Sequence, residues 1–168
     1  MSPTRILQAL REDLAEYVAE QKGTTSVAKD PWQPIEILAD RPTGFRVILL
    51  WAGDEPDGSN ELHEAEGILP SVLCNVEVYV SLNLGLVRDP GTKLFEDDGA
   101  TPLVERVNEI RARVLSLAFE FDGETLGRFR YRGCAPVVTP EGWPLTAYKL
   151  KFGIVSVCDV YEDREVEL

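Results

Sequence analysis

The sequence predicts an α+β fold: a mostly antiparallel β-sheet with two amphipathic helices packed on one face, in the order α-β-β-β-α-β-β. Three observations predict it. Residues 6–18 and 103–117 carry apolar side chains at three-and-four spacing, as helices with one core-facing stripe do. Residues 72–86 instead alternate apolar and polar with a period of two, as a strand with one wet face does. Helical patterns are also too few and too far apart for repeated βαβ units.

Ser2-Pro3 opens the first helix, serine as N-cap and proline at the first helical position. Ile6, Leu7, Leu10, Leu14, Tyr17 and Val18 form its stripe, and Gly23 ends it. Residues 24–34 are polar and proline-bearing and read as a loop, and residues 35–39 as a weak β run. FRVILLW, residues 45–51, is almost wholly apolar after Arg46, which predicts a central strand covered on both faces.

In the long alternating segment Val72, Cys74, Val76, Val78, Val80, Leu82, Leu84 and Leu86 point one way. Asn75, Glu77, Tyr79, Ser81 and Asn83 point the other. A strand of ~13 residues reaches about 40 Å, well beyond the usual length. Asp89-Pro90-Gly91 marks a turn, residues 93–100 a loop, and Thr101-Pro102 the start of the second helix. Leu103, Val107, Ile110, Val114 and Leu117 form its stripe, with Arg106 among the charges placed off it.

After a turn at Asp122-Gly123, residues 127–133 alternate again, with Arg128, Arg130 and Arg132 on one face and Phe129 and Tyr131 on the other. A loop at 139–144 leads to the last strand, 145–157. There Tyr148, Leu150, Phe152 and Ile154 face inward and Lys149 and Lys151 outward. The alternation weakens near Gly153, as at a bulge or a change of burial.

The 168 residues fit one domain spanning 1–168, with an acidic loop at 53–67 and an acidic tail at 159–168. Net charge is −12, from 29 acids against 17 bases, and such a surface repels duplex DNA and anionic lipid at long range. Sequence-specific nucleic-acid binding and membrane association are therefore not expected. No apolar run reaches the roughly 18 residues of a membrane span, and residues 1–20 read as an amphipathic helix, not a signal peptide. Cys74, Cys134 and Cys158 are odd in number and form no C-x-x-C, which points to reduced structural thiols.

His63, the one histidine, lies among carboxylates in ELHEAE, which is neither a zinc motif nor a calcium loop. No G-x-S-x-G, P-loop or G-x-G-x-x-G occurs, so no catalytic residues, no cofactor and no metal are expected. One constellation stands out against the charge background. Arg128, Arg130, Arg132, Lys149 and Lys151 cluster on two consecutive strands, where alternate residues ~7 Å apart form ladders. The acids Asp54, Glu55 and Asp57 lie elsewhere in sequence, so one copy could offer each half of a head-to-tail contact. Trp51, Trp143 and Leu73 are candidates for the apolar centre of such a contact.

An amphipathic N-terminal helix, the strand at 45–51, the long strand at 75–84, the helix PLVERVNEIRARVLSL and two closing strands ending in LTAYKLKFGIVSV follow one another along the chain. This layout resembles the tail terminator, or tail completion, proteins of tailed bacteriophages and prophages of the lambda-type and Mu-like kinds. The resemblance implies a non-enzymatic structural protein of virion assembly. It would form a homo-oligomeric ring, typically a hexamer, that caps the tail tube, ends its polymerisation and meets the head. Its partners would be copies of itself, the tail tube protein and a head-completion protein. Its location would be the bacterial cytoplasm during assembly and then the viral tail. The alternative is a stand-alone α+β protein binding a small ligand or a protein partner. Protein purified without additives should contain no stoichiometric zinc, which elemental analysis checks; zinc lost on replacing His63 would overturn the expectation.

Overall fold

The computed structural model describes residues 2–40, 44–56, 71–83, 102–121, 124–139, 141 and 145–157. Among these, the elements are α1 (Pro3–Glu20), β1 (Thr24–Val27), α2 (Gln33–Asp40), β2 (Phe45–Pro56), β3 (Ser71–Asn83), α3 (Leu103–Ser116), β4 (Ala118–Phe121), β5 (Glu124–Arg128), β6 (Arg130–Pro136) and β7 (Leu145–Val157). Five strands form one sheet in the order β1-β2-β3-β7-β6, and β4 and β5 form a separate two-stranded sheet. Pairing is antiparallel throughout except between β1 and β2, which are parallel. The fold is α+β, as expected, with α1 and α3 sharing one core and one face of the sheet.

Helix α1 forms as its sequence dictates. Ser2 Oγ accepts from the Arg5 N–H, Pro3 occupies the first turn, and all six residues of the apolar stripe are buried. Its exit turns on two residues. Lys22 adopts a left-handed φ of 55°, and the Gly23 N–H bonds back to the Val18 carbonyl at 2.8 Å. Gly23 is needed for space: a Cβ there would lie 2.6 Å from Phe45 Cδ1 and 2.8 Å from the Phe45 carbonyl oxygen. Without it the chain could not turn from α1 into β1 so close against β2.

The first core lies between α1, α3 and the sheet. Val47 and Leu49 of β2, Cys74, Val76, Val78 and Val80 of β3, and Leu150, Phe152 and Ile154 of β7 all face it. Leu103, Val107, Ile110 and Val114 of α3 complete it. Arg106, expected off the stripe, is buried instead, with its guanidinium 4.7 Å over the Phe45 ring. Leu82 is half-buried at the edge of this core.

A second core on the opposite face is absent from the sequence-based expectation. Residues 35–39 are not a strand; they belong to α2. Asp30 Oδ1 accepts from the N–H groups of Trp32 and Gln33 at 2.9 and 3.0 Å, and Gln33 Oε1 accepts from the Lys29 N–H. This is close to a reciprocal capping box, and it starts a helix whose Pro34 and Leu38 are buried one turn apart. Leu38 and Ala28 pack on Ile48, Leu50, Tyr79, Leu145 and Ala147. Tyr79 and Ser81, read as wet, are therefore buried, and Glu77 and Asn83 are half-buried. The apolar run of β2 is covered on both faces, as its composition predicts.

Three further readings change. Residues 24–27, read as loop, pair with β2 as a short edge strand, so β1-α2-β2 is one βαβ unit. Residues 53–56, read as the start of a loop, belong to β2 beyond a bulge after Trp51 in which Gly53 has φ 93°. Residues 127–133 are not one strand: the chain passes from β5 to β6 at the buried Phe129, whose ring meets Phe119 at 5.7 Å and Phe152 at 6.1 Å. Leu84 and Leu86, the turn expected at 89–91, the loop expected at 93–100, Thr101, Trp143, His63 and Cys158 lie outside the described residues. Val78 is fully buried in the first core, so Val78→Asp should unfold the protein, since an unpaired buried carboxylate costs several kcal/mol. A urea titration checks this, and a normally folded variant would show that the face of β3 is misassigned.

Candidate functional site

Residue registers place Glu55, Leu73, Lys149 and Lys151 on the second face of the sheet. Alternation puts Arg46, Ile48 and Leu50 of β2 on this face, opposite Ser81, Tyr79 and Glu77 of β3. Ala147, Lys149, Lys151, Gly153 and Val155 of β7 follow opposite Ser81, Tyr79, Glu77, Asn75 and Leu73. Helix α2 covers the half that holds Ile48, Tyr79 and Ala147. On the other half, among the described residues, Asn75, Glu77, Lys151 and Arg132 line an open recess of about 360 Å³.

Lys149, Glu77 and Tyr79 form a closed triangle where the covered half meets the open one. Lys149 Nζ lies 3.1 Å from Glu77 Oε1, the Tyr79 hydroxyl donates to Glu77 Oε2 at 2.8 Å, and Nζ sits 5.8 Å from the Tyr79 ring centroid. Burial, then the Glu77 carboxylate, raises the tyrosine pKa above its ordinary value. Farther out, Arg132 Nη1 donates to both Glu55 Oε1 and Asn75 Oδ1. Arg132 is the extra residue at a bulge in β6, beside Gly133 at φ 140°. Its stem lies over Gly153, where a Cβ would stand 3.3 Å from Arg132 Cδ and 3.0 Å from Leu73 Cδ1. Gly153 thus gives room for Leu73 and Arg132 to lie together, with Leu73 opposite the half-buried Val155.

The expected basic ladder is distributed differently. Arg128 ends β5, Arg130 begins β6, and both are exposed. Lys149 and Arg132 are engaged by acids of their own chain, whereas no ion pair or side-chain hydrogen bond joins the Arg128, Arg130 or Lys151 side chain to another described residue. Glu55, expected to meet a neighbouring copy, meets Arg132 within the chain. Trp51 is exposed at the β2 bulge and its Nε1–H donates to Asp54 Oδ1 at 3.1 Å. Asp57 and Trp143 lie outside the described residues.

Asp54 also borders Cys74. Burial first, and then the Asp54 carboxylate, pushes the Cys74 thiol up to about 12. A smaller hollow of about 190 Å³ between α3 and the β6–β7 pair is lined by Val104, Val107, Arg111, Cys134 and Tyr148. Among the described residues, no three His, Cys, Asp or Glu side chains converge as a metal site would require, and no helix is long and apolar enough to cross a membrane. Comparison with known protein families finds no family model that matches the chain, and comparison with curated proteins finds no relative.

Sequence reasoning missed Asn75 as the second acceptor on Arg132 and the Tyr79–Glu77–Lys149 triangle. Only the opposite charges of Glu77 and Lys149 on alternating strands signalled any of it. The thiol and phenol shifts have a measurable sign. Cys74 and Tyr79 stay neutral in the folded protein at pH values where the unfolded chain ionises. The thiol's contribution is complete below its ordinary value of 9.0 and is lost as pH rises towards the folded value of about 12. Urea midpoints should fall between pH 9 and pH 11, less steeply in Cys74→Ala. An unchanged slope in that variant would show that the thiol contributes nothing.

Proposed function

We propose that this chain is a non-enzymatic structural protein that self-associates into a ring, typically of six copies, capping a phage-type tail tube. The ring ends tube polymerisation and gives the head-completion protein a surface to join. The protein then resides in the bacterial cytoplasm during assembly and afterwards in the virion tail.

One observation carries this reading: among the described residues no helix covers half of a sheet face, which holds a half-buried apolar pair, Leu73 and Val155, beside the Arg132–Glu55 ion pair and the exposed Lys151. An apolar centre with a charged rim is the make-up of a protein-docking surface. Exposed ion pairs contribute little affinity alone, so Leu73 and Val155 supply the centre and the charges set orientation. A stand-alone small-ligand binder would call for a deep, mostly apolar cleft of about 300–1,000 Å³. Of the two hollows noted among the described residues, the larger is open and lined by charge, and the smaller is about 190 Å³.

The test reverses charge at Arg128 and Arg130 together, in a tail-assembly assay with folding checked by circular dichroism. Arg132 is left intact, because reversing it would break its bond to Glu55 and confound folding with assembly. Overlong tubes and poor head joining are expected. Tubes of normal length with normal head joining would reduce these arginines to a solvated edge. If deleting the gene leaves tail length and head joining untouched, the ring reading itself fails.

A further inference from the structure

Among the described residues the sheet has two open edges, β1 and β6, and they differ in character. Strand β1 at one edge reads Thr-Thr-Ser-Val and carries no charge. Strand β6 at the other reads Arg-Tyr-Arg-Gly-Cys-Ala-Pro and carries two positive charges and no acid. Four of the five large apolar side chains left exposed among the described residues belong to these edges or the segments that follow them. Val27 ends β1, and Trp32, 78% exposed, stands just before α2. Tyr131 is in β6, and Val138, 92% exposed, follows its end.

Strand direction decides how such edges can meet. β1 and β2 run the same way, β3 runs against them, β7 runs with them, and β6 runs against them. If one sheet is continued by the next in the same orientation, β6 of one copy comes to lie antiparallel to β1 of its neighbour. Antiparallel pairing is the slightly more stable kind.

We infer that copies of this chain join edge to edge, β6 of one beside β1 of the next, so that one sheet runs on through successive subunits. This deepens the ring reading, since the occupant of each edge is a second copy. The charges choose between the possible pairings. Two β6 strands meeting each other would set Arg130 and Arg132 against their own copies, and like charges facing across strands are destabilising. An uncharged β1 receives the same strand with no such repulsion. Two β1 strands would pair over only four residues, with no charge to fix their register. Opposite edges of one sheet are also different surfaces on opposite flanks, as a head-to-tail contact demands. Trp32 supplies a large aromatic group of the kind that dominates interface energy.

Cys134, an exposed thiol on β6, gives a direct test. Within one chain, positions 27 and 134 face the same side of the sheet, in one row through Leu49, Val78 and Leu150, but lie on opposite edges, four strand spacings or about 19 Å apart, far beyond the ~7 Å Cα separation a disulfide tolerates. Only a second copy can bring them together. Cys158→Ser protein, which keeps the Cys134 thiol, is mixed in concentrated solution with a tagged Val27→Cys/Cys134→Ser/Cys158→Ser chain and oxidised mildly. Both are first checked for native circular dichroism, and Cys74 is buried in each. The mixed disulfide dimer is expected as the main product, several-fold over either homodimer. A predominance of Cys134–Cys134 dimers would overturn the inference. So would oligomers by sedimentation that give no mixed cross-link, and that outcome leaves the ring reading standing. Protein that stays monomeric both in solution and on tail tubes would bring down the ring reading and the edge contact with it.

Discussion

Thirteen consecutive residue pairs join β3 to β7, from Ser71 opposite Val157 to Asn83 opposite Leu145, without a register shift. The rest of the structure is hung on this ladder. Because side chains alternate, the unbroken register sends Cys74, Val76, Val78 and Val80 to the same face as Leu150, Phe152 and Ile154. It sends Asn75, Glu77 and Tyr79 to the face of Lys149, Lys151 and Gly153. A slip of β7 by one residue would turn its faces over, burying Lys149 and Lys151 beneath α1 and α3. The register thereby fixes the main core and the polar surface in a single choice. Within the five-stranded sheet, irregularities are confined to the flanking strands, at the bulges after Trp51 and at Arg132.

Where a segment carried a long periodic signal, the sequence was a sufficient guide. The stripes of α1 and α3, the alternation of β3 and the span of β7 all follow from spacing alone. Legibility failed where the deciding interaction was short or came from elsewhere. Residues 35–39 hold too few positions to tell a helical period from an apolar run, and the capping by Asp30 and Gln33 settles the matter. Residues 24–27 have little strand character of their own beyond two threonines, and become a strand because the edge of β2 is there to pair with. Phe129 breaks the run from Gly127 to Gly133 because its ring is needed in the aromatic cluster with Phe119 and Phe152.

The candidate site was legible as a list of charges and illegible as an arrangement. Clustering of Arg130, Arg132, Lys149 and Lys151 on adjacent strands could be read directly, since β6 and β7 are consecutive and antiparallel. That Glu55 lies against Arg132 could not, because it depends on the bulge in β2, the bulge in β6 and two intervening strands. Gly153 was visible as an interruption of the pattern. Its role, making room for Leu73 beside the stem of Arg132, depends on residues far away in sequence. Local chemistry thus named the charged residues, and non-local packing decided which of them face their own acids.

The central ladder also orders events in time. It joins residue 83 to residue 145 and residue 71 to residue 157, so neither core can close until the last strand is available. As the chain emerges from the ribosome, the βαβ segment and β3 are synthesised long before β7. For that interval the growing sheet ends in an unpaired β3, an apolar strand edge of the kind that invites aggregation. Pairing between such distant segments carries a loop-closure cost that is met before any contact repays it, so collapse of this molecule is intrinsically slow. A nascent chain of this design would benefit from a holding chaperone during that wait.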